Sequence, residues 1–296
     1  MIIAVGGATA TGKSELGLEI AKRYGGEIVS ADSMQIYKEM DIGTAKITRE
    51  EMQGVPHHMI DVVSPKDPYN VATYVEDAGK VIADIEKRNK VPVLVGGTGL
   101  YVRSLLYNYS HGAFDETLRK ELEEEASRKG ADAMWEKLNE VDPEAARKIH
   151  KNNAKRVLRA LEVYYLTGGS ISMVEQTEPK PHVLFCLTSE RNLLYERIDG
   201  RVEKMFDRGL VDEVKRLIEE GVDFSMQSMQ AIGYKEFREY FSGAQTLDET
   251  KERIKLNTRH YAKRQETWFR GMETAKWQKI GETSGIFELL DNTILK

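Results

Sequence analysis

The fold of this chain is decided by residues 1–14, which read Met1-Ile2-Ile3-Ala4-Val5-Gly6-Gly7-Ala8-Thr9-Ala10-Thr11-Gly12-Lys13-Ser14. Glycines at both ends of residues 7–14 allow the backbone to curl so that successive N–H groups point inward. An apolar run before this G-x-x-x-x-G-K-S pattern and a helical pattern after it are the context that a phosphate-binding loop requires. We therefore predict such a loop, in which Lys13 meets the terminal phosphate and the Ser14 hydroxyl is a ligand of Mg²⁺.

Length and composition are those of an ordinary globular protein. The 296 residues, of which 41% are hydrophobic, suffice for one large domain or two interlocked ones. No apolar stretch is long enough to cross a membrane, and residues 1–5 are too short for a signal peptide, so we expect a cytoplasmic protein without a membrane partner. Cys186 is the single cysteine, which excludes disulfides within the chain and cysteine-based zinc fingers; we expect an inert core thiol.

Charge is distributed unevenly along the chain, although the net charge is only -5. Residues 115–144 carry eleven acidic and five basic side chains, whereas residues 251–270 carry seven basic and two acidic ones. A basic helix of this kind is most often a solvated face, but it is also the electrostatic pattern of a nucleic-acid surface.

Strand-like and helical patterns alternate, which predicts an α/β fold: a parallel sheet flanked by helices, with a helical insertion domain. Strands are predicted at residues 2–5, 27–31, 59–63, 91–95 and 183–187. Helices are predicted at residues 118–129, 133–139, 143–149, 154–166, 191–209, 210–220, 234–241 and 247–270. Thr48 and Glu51 have the spacing of a capping box, which predicts a short helix after residue 48.

The predicted domains follow from this alternation. Residues 112–181 are charged and almost wholly helical in pattern, and we interpret them as an insertion between two core strands. Residues 1–111 and 182–296 then form the core, which contains the phosphate loop and the C-terminal helices.

Polar residues follow the ends of the predicted strands, where open α/β sheets place their ligands. Asp32 follows the second strand, and Thr98 follows the fourth after two glycines. From the residues alone, Asp32 is a Mg²⁺ ligand, a general base or the cap of the following turn.

Several sequence blocks resemble the tRNA dimethylallyltransferases. The resemblance is carried by Ser30-Ala31-Asp32-Ser33-Met34-Gln35-Ile36-Tyr37, by Val95-Gly96-Gly97-Thr98-Gly99-Leu100-Tyr101, by Gln230-Ala231-Ile232-Gly233-Tyr234 and by Arg259-His260-Tyr261-Ala262-Lys263-Arg264-Gln265. It implies transfer of a dimethylallyl group from dimethylallyl diphosphate to the exocyclic amine of the adenosine just 3′ of the anticodon. It also implies Mg²⁺ as cofactor and the tRNA anticodon arm as partner of the insertion.

The resemblance assigns roles to four predicted catalytic residues. Asp32 is the general base for the adenine amine. Lys13, the loop N–H groups and Mg²⁺ near Ser14 stabilise the leaving diphosphate. Thr98 holds the base or the diphosphate, and Arg201 grips the diphosphate, with Arg197 as the competing candidate.

The remaining predicted contacts are to tRNA. Gln35 offers an amide for the adenine edge. Lys255, Arg259 and Lys263 recur at four-residue intervals and predict one positive stripe on a helix. The predicted tRNA-binding residues are Asp32, Ser33, Met34, Gln35, Thr98, Arg156, Arg159, Gly233, Tyr234, Lys235, Arg259 and Lys263.

Three rival functions use the same loop. A small-molecule kinase would bind ATP with Mg²⁺ and transfer its terminal phosphoryl group. A GTPase would need a guanine-binding signature, and the near match at Asn89-Lys90 lacks the necessary Asp. The third rival is an isopentenyltransferase that acts on free adenine nucleotides; the basic helix and the large insertion favour tRNA over a mononucleotide. We expect a monomer, since one chain holds every required group.

Overall fold

A computed structural model describes residues 1–107, 114–171 and 178–294. It divides into two compact units, one made of Met1–Leu106 with Pro179–Lys296 and the other of Tyr107–Glu178. The chain leaves the first unit after Leu106 and returns to it at Pro179. The backbone N–H of Lys180 donates to the carbonyl of Leu106 at 2.8 Å, so these two points lie side by side in the first unit. The predicted boundary at residue 112 lies outside the described residues.

The first unit contains a 6-stranded sheet in which every paired strand is parallel, as the α/β prediction requires. The strands, in chain order, are β1 Ile2–Gly7, β2 Gly26–Ser30, β3 His57–His58, β4 Val91–Val95, β5 His182–Thr188 and β6 Ala275–Lys279. Their spatial order is β3-β2-β4-β1-β5-β6, which puts β1 in the interior of the sheet. Both β1 and β2 are buried along their whole length, because helices cover the two faces of a parallel sheet.

The helices, in chain order, are α1 Lys13–Arg23, α2 Val71–Lys87, α3 Gly99–Leu106, α4 Glu116–Lys129, α5 Ala131–Val141, α6 Pro143–Lys148, α7 Ala154–Thr167, α8 Arg191–Asp207, α9 Leu210–Glu219, α10 Phe237–Phe241, α11 Leu247–Arg270 and α12 Ser284–Ile294. The boundaries predicted for α11 match the structure, because a capping box of Thr246 and Glu249 opens this helix.

The second unit is helical, as predicted, and has its own apolar core. Helices α4 to α7 bury Leu122, Met134, Leu138 and Leu161 against one another. Side chains cap α4, α6 and α7; the Asp115 carboxylate, for example, accepts from the Leu118 N–H at 2.8 Å and begins α4.

Three local predictions are wrong. Residues 59–63 are not a strand, because Met59 and Asp61 have positive φ angles of 61° and 55° and break the extended backbone after β3. Thr48 and Glu51 do exchange capping hydrogen bonds, but residues 49–54 form turns rather than a helix. The helix predicted at residues 234–241 is shortened to α10.

Two elements near the C-terminus were not predicted. Strand β6 has the sequence Ala-Lys-Trp-Gln-Lys and pairs only with β5, so it is an edge strand without an apolar run. Helix α12 adds Ile286, Phe287 and Leu290 to the core under the sheet.

Cys186 is completely buried in β5, and burial raises the pKa of its thiol to about 12, which confirms the core role predicted for it. Across the described residues, the helices lack the combination of length and apolar character that crossing a membrane demands.

Candidate active site

A cavity of about 780 Å³ opens at the carboxyl ends of the central strands. The loop after β1, the turn after β2, the glycines after β4 and one side of α8 line it. The structure thus brings three of the four predicted catalytic residues, Lys13, Asp32 and Arg201, into its wall together with Ser14, the predicted metal ligand, whereas Thr98 is not among the lining residues.

The loop at residues 7–14 has the geometry of a phosphate cradle. Gly7 has φ +128°, and a Cβ there would lie 2.6 Å from the carbonyl oxygen of Leu187, so only glycine fits between β1 and β5. Gly12 has φ 81° and begins α1 without a side-chain cap. The first N–H groups of α1 therefore face the cavity as donors for an anion.

Lys13 and Arg201 place two cations at this loop. The Lys13 ammonium donates to the carbonyl of Ala8, and the Arg201 Nη1 donates to the Thr9 hydroxyl at 2.9 Å. Burial, aided by the positive charge of Arg201, lowers the pKa of Lys13 to about 7, although the charge of Asp32 acts in the opposite direction. Burial also lowers the pKa of Arg201. Both cations therefore lack a full counter-charge, which a diphosphate would supply.

Asp32 caps its own turn and still has a carboxylate oxygen to spare. Its Oδ1 accepts from the N–H groups of Met34 at 2.9 Å and Gln35 at 3.4 Å. Among the described residues no donor reaches its Oδ2, and the side chain lines the cavity. The capping interpretation is thus correct, and it leaves a fixed carboxylate able to accept a proton.

Thr98 joins the ends of β2 and β4. Its hydroxyl accepts from the Ser33 N–H at 3.0 Å and donates to the Ser33 hydroxyl at 3.3 Å. The two strand ends approach so closely that a Cβ on Gly96 would lie 2.1 Å from the carbonyl oxygen of Ala31. Thr98 therefore positions the turn that carries Asp32, and contact with a substrate stays a prediction.

Gln35 lies in the cavity wall, but its amide already has partners. Its Nε2 donates to the carbonyls of Thr44 at 3.3 Å and Ala45 at 3.4 Å, and its Oε1 accepts from the Ser30 hydroxyl at 3.4 Å. These long bonds would have to be exchanged for contacts to an adenine edge. Ser33 and Met34 are half-buried in the same turn.

Gln265 is a site residue that the sequence analysis missed. Its Oε1 accepts from the Thr9 N–H at 2.8 Å, and its Nε2 donates to the Gly97 carbonyl at 3.0 Å, so it ties the phosphate loop to the turn after β4. The available signal was its place on the buried stripe of α11, three residues after Ala262 and four before Phe269. A polar residue at such a position needs buried partners.

The positive stripe predicted on α11 is mostly paired with acids of α8. The Arg259 guanidinium contacts both oxygens of Asp199, and the Lys255 ammonium lies 2.6 Å from Glu203. Within the described residues, Lys263 is exposed and has no ion pair. Lys255 and Arg259 thus pair with α8, along which α11 packs, and contact of Arg259 and Lys263 with RNA stays a prediction.

Tyr234 cannot contact RNA through its side chain, so this prediction is also wrong. The ring is fully buried, and its hydroxyl donates to Glu213 Oε1 at 2.6 Å. Gly233 has φ +95° and packs beside Gly43, whereas Lys235 is exposed. Of this block, only Lys235 is available to a partner.

The predicted basic cluster of the second unit is also divided. Arg156 is exposed on α7, whereas Arg159 Nη1 lies 2.6 Å from the buried carboxylate of Glu162. Arg159 therefore neutralises a buried charge of its own unit, and its contact with RNA stays a prediction.

Comparisons with known proteins agree with one another. Residues 35–272 match the family model described as IPP transferase, and residues 1–64 match the model described as isopentenyl transferase. The tRNA dimethylallyltransferase of Caldanaerobacter subterraneus subsp. tengcongensis is 48% identical over 300 residues, which cover 98% of this chain and 95% of the relative.

Solved structures give the same result. The full-length tRNA isopentenylpyrophosphate transferase from Bacillus halodurans is 44% identical, with a TM-score of 0.75 and coverage of 99% of this chain and 95% of that one. A eukaryotic dimethylallyltransferase acting on tRNA is 29% identical, with a TM-score of 0.86 and coverage of 99% of this chain and 79% of that one.

Proposed function

This chain belongs to the tRNA dimethylallyltransferase family, and from that premise we propose that it transfers the dimethylallyl group of dimethylallyl diphosphate to the exocyclic amine of the adenosine 3′ of the anticodon. One observation carries the proposal: a phosphate cradle with two half-buried cations, Lys13 and Arg201, shares a cavity with a fixed carboxylate that has a free oxygen. Such a cavity can hold a diphosphate leaving group and deprotonate a nucleophile.

The phosphate loop binds the diphosphate and stabilises the charge that develops as it leaves. The N–H groups that begin α1, together with Lys13 and Arg201, donate to its oxygens. The Ser14 hydroxyl is exposed on the cavity wall beside Lys13, and it is the kind of oxygen ligand that Mg²⁺ takes together with water and substrate phosphate. When bound there, Mg²⁺ would neutralise part of the diphosphate charge.

Asp32 acts as the general base. The adenine amine is a weak nucleophile because its lone pair is delocalised into the ring, so its proton must leave as the new bond forms. The nitrogen–carbon bond forms at the allylic carbon, the carbon–oxygen bond to diphosphate breaks, and the proton passes to Asp32 Oδ2. The two N–H donors on Oδ1 hold the carboxylate in place during this transfer.

The acceptor enters as an extruded nucleotide, because an adenosine stacked in the anticodon loop cannot reach into a cavity. Exposed cations supply phosphate contacts for the arm, among them Arg156, Lys235 and Lys263. Every group with a chemical role belongs to one chain, which is consistent with a monomer that acts on tRNA in the cytoplasm.

The decisive experiment mixes the purified protein and Mg²⁺ with labelled dimethylallyl diphosphate and an unmodified anticodon stem–loop. Parallel reactions replace the donor by ATP or the RNA by AMP. We expect label in the RNA alone, without ATP turnover. ATP consumption without transfer would support the kinase, which the family comparisons disfavour, and preferential labelling of AMP would support a free-nucleotide enzyme.

A further inference from the structure

Helix α8 separates its charges onto two opposite sides. At 3.6 residues per turn, Arg197, Arg201, Lys204 and Arg208 fall within an arc of about 60°. Asp199 and Glu203 lie on the other side, where they pair with Arg259, Lys251 and Lys255 of α11. The acidic side of α8 therefore holds α11, and its basic side is left for another partner.

The basic side of α8 lines the active-site cavity. All four of its cations contribute to the cavity wall, and among the described residues none forms an ion pair with a carboxylate. Lys204 and Arg208 are exposed, in contrast to the partly buried Arg201. These four cations outnumber the three carboxylates of the same wall, Glu15, Asp32 and Glu51, and so indicate a ligand with several negative charges.

A diphosphate is too short to account for this whole surface. Arg201 hydrogen-bonds to Thr9 of the phosphate loop and so lies at the diphosphate end of the cavity. Arg208 comes seven residues later, about 10 Å further along the helix. The outer cations therefore face a part of the cavity beyond the diphosphate.

We propose that Lys204 and Arg208 bind backbone phosphates of the RNA strand next to the extruded adenosine. This inference rests on the proposed function in taking RNA as the acceptor. In the first unit, the main phosphate-binding surface is then on α8 rather than on α11, whose cations are largely paired. The two side chains guide the strand so that the target base reaches Asp32.

The test compares the double variant Lys204→Ala/Arg208→Ala with Lys87→Ala/Lys90→Ala. The control pair loses the same charge from exposed positions beside the amino end of β4, whereas the cavity lies at the carboxyl ends of the strands. Binding of the stem–loop is measured between low and physiological salt, and pyrophosphate binding is measured in parallel.

For the α8 variant we expect RNA affinity to fall about tenfold at low salt, and the slope of log K against log salt to decrease by about 1.4, because each single-strand phosphate contact contributes about 0.7. Pyrophosphate binding stays within about twofold of wild type. The control retains the wild-type slope.

An unchanged salt slope in the α8 variant would overturn the inference, and so would a loss of pyrophosphate affinity without an effect on RNA. If the wild type transfers label to RNA in either case, the proposed function still stands. A wild type that neither binds nor modifies the stem–loop would overturn both.

Discussion

At the residue scale, Asp32 combines a structural and a chemical role in one side chain. Replacing it by Asn keeps an Oδ1 acceptor for the N–H groups of Met34 and Gln35 but removes the base. We expect Asp32→Asn to slow the chemical step by about 10² to 10⁴, the usual contribution of a general base. Single-turnover label transfer at saturating RNA measures this rate, and stem–loop affinity should change little. A single-turnover rate equal to wild type would exclude Asp32 as the base.

Lys13 makes diphosphate binding depend on pH. Its pKa of about 7 in the free protein means that the ammonium loses its proton above neutrality, and a bound anion raises that pKa again. We therefore expect pyrophosphate binding at pH 8 to take up a proton at Lys13, and affinity to fall as pH rises through about 7 and above.

Calorimetry in two buffers of different ionisation enthalpy measures this uptake. Lys13→Arg is the matched control because arginine stays charged throughout the range. The variant should show less proton uptake than wild type by up to one proton. Equal uptake in both proteins would assign the proton to the ligand or to another residue.

At the element scale, the segment around Gly43 is held by a buried carboxylate on α9. Glu213 accepts from the N–H groups of Asp41, Ile42 and Gly43 at 2.8 to 3.0 Å and from the Tyr234 hydroxyl at 2.6 Å. This segment continues into the carbonyls of residues 44 and 45 that hold Gln35, so α9 supports one wall of the cavity.

Removing the hydroxyl in Tyr234→Phe should lower the free energy of unfolding by about 1 to 3 kcal/mol, because it takes a donor from a buried carboxylate. Urea denaturation measures the change. Tyr240→Phe, a half-buried tyrosine of the neighbouring α10, controls for the loss of a hydroxyl and should cost less. Equal effects in the two variants would show that the contact with Glu213 contributes nothing specific.

Ion pairs with α8 give Lys255 and Arg259 of the basic helix α11 a role in stability. Since Arg259 and Lys255 neutralise acids of α8, their removal would leave Asp199 without its partner and Glu203 with Lys251 alone. Loss of stability is the expected effect of such variants, rather than a change in the salt dependence of RNA binding.

At the scale of the whole molecule, residues 107–178 form a unit that enters and leaves the sheet-containing unit at one place, where Lys180 donates to Leu106. A short Gly-Ser linker can replace the helical unit without stretching the backbone. We expect this variant to unfold cooperatively and to bind pyrophosphate like the full chain, because the phosphate loop and its partners Arg201 and Gln265 all remain.

The same variant should bind the stem–loop at least about tenfold more weakly, since it lacks Arg156 and the other phosphate contacts proposed for the helical unit. Fluorescence anisotropy with labelled RNA measures this loss. Undiminished RNA affinity would show that the helical unit does not contact the anticodon arm.

The sequence by itself determined the phosphate loop, the buried strands β1 and β4, and the bounds of α11, because each depends on local patterning: glycine spacing, an apolar run or a capping box. It also placed Asp32, Lys13 and Arg201 at the site through the family's motifs.

Whether a side chain is paired or buried depends on residues far away in the chain, and here local patterns failed. Only the tertiary structure decided that Arg259 pairs with Asp199, that Tyr234 is buried against Glu213, that Gln265 joins two loops and that four cations of α8 line the cavity. The physical reason is that periodicity specifies which face of a helix is charged or apolar, whereas packing selects the partner of that face.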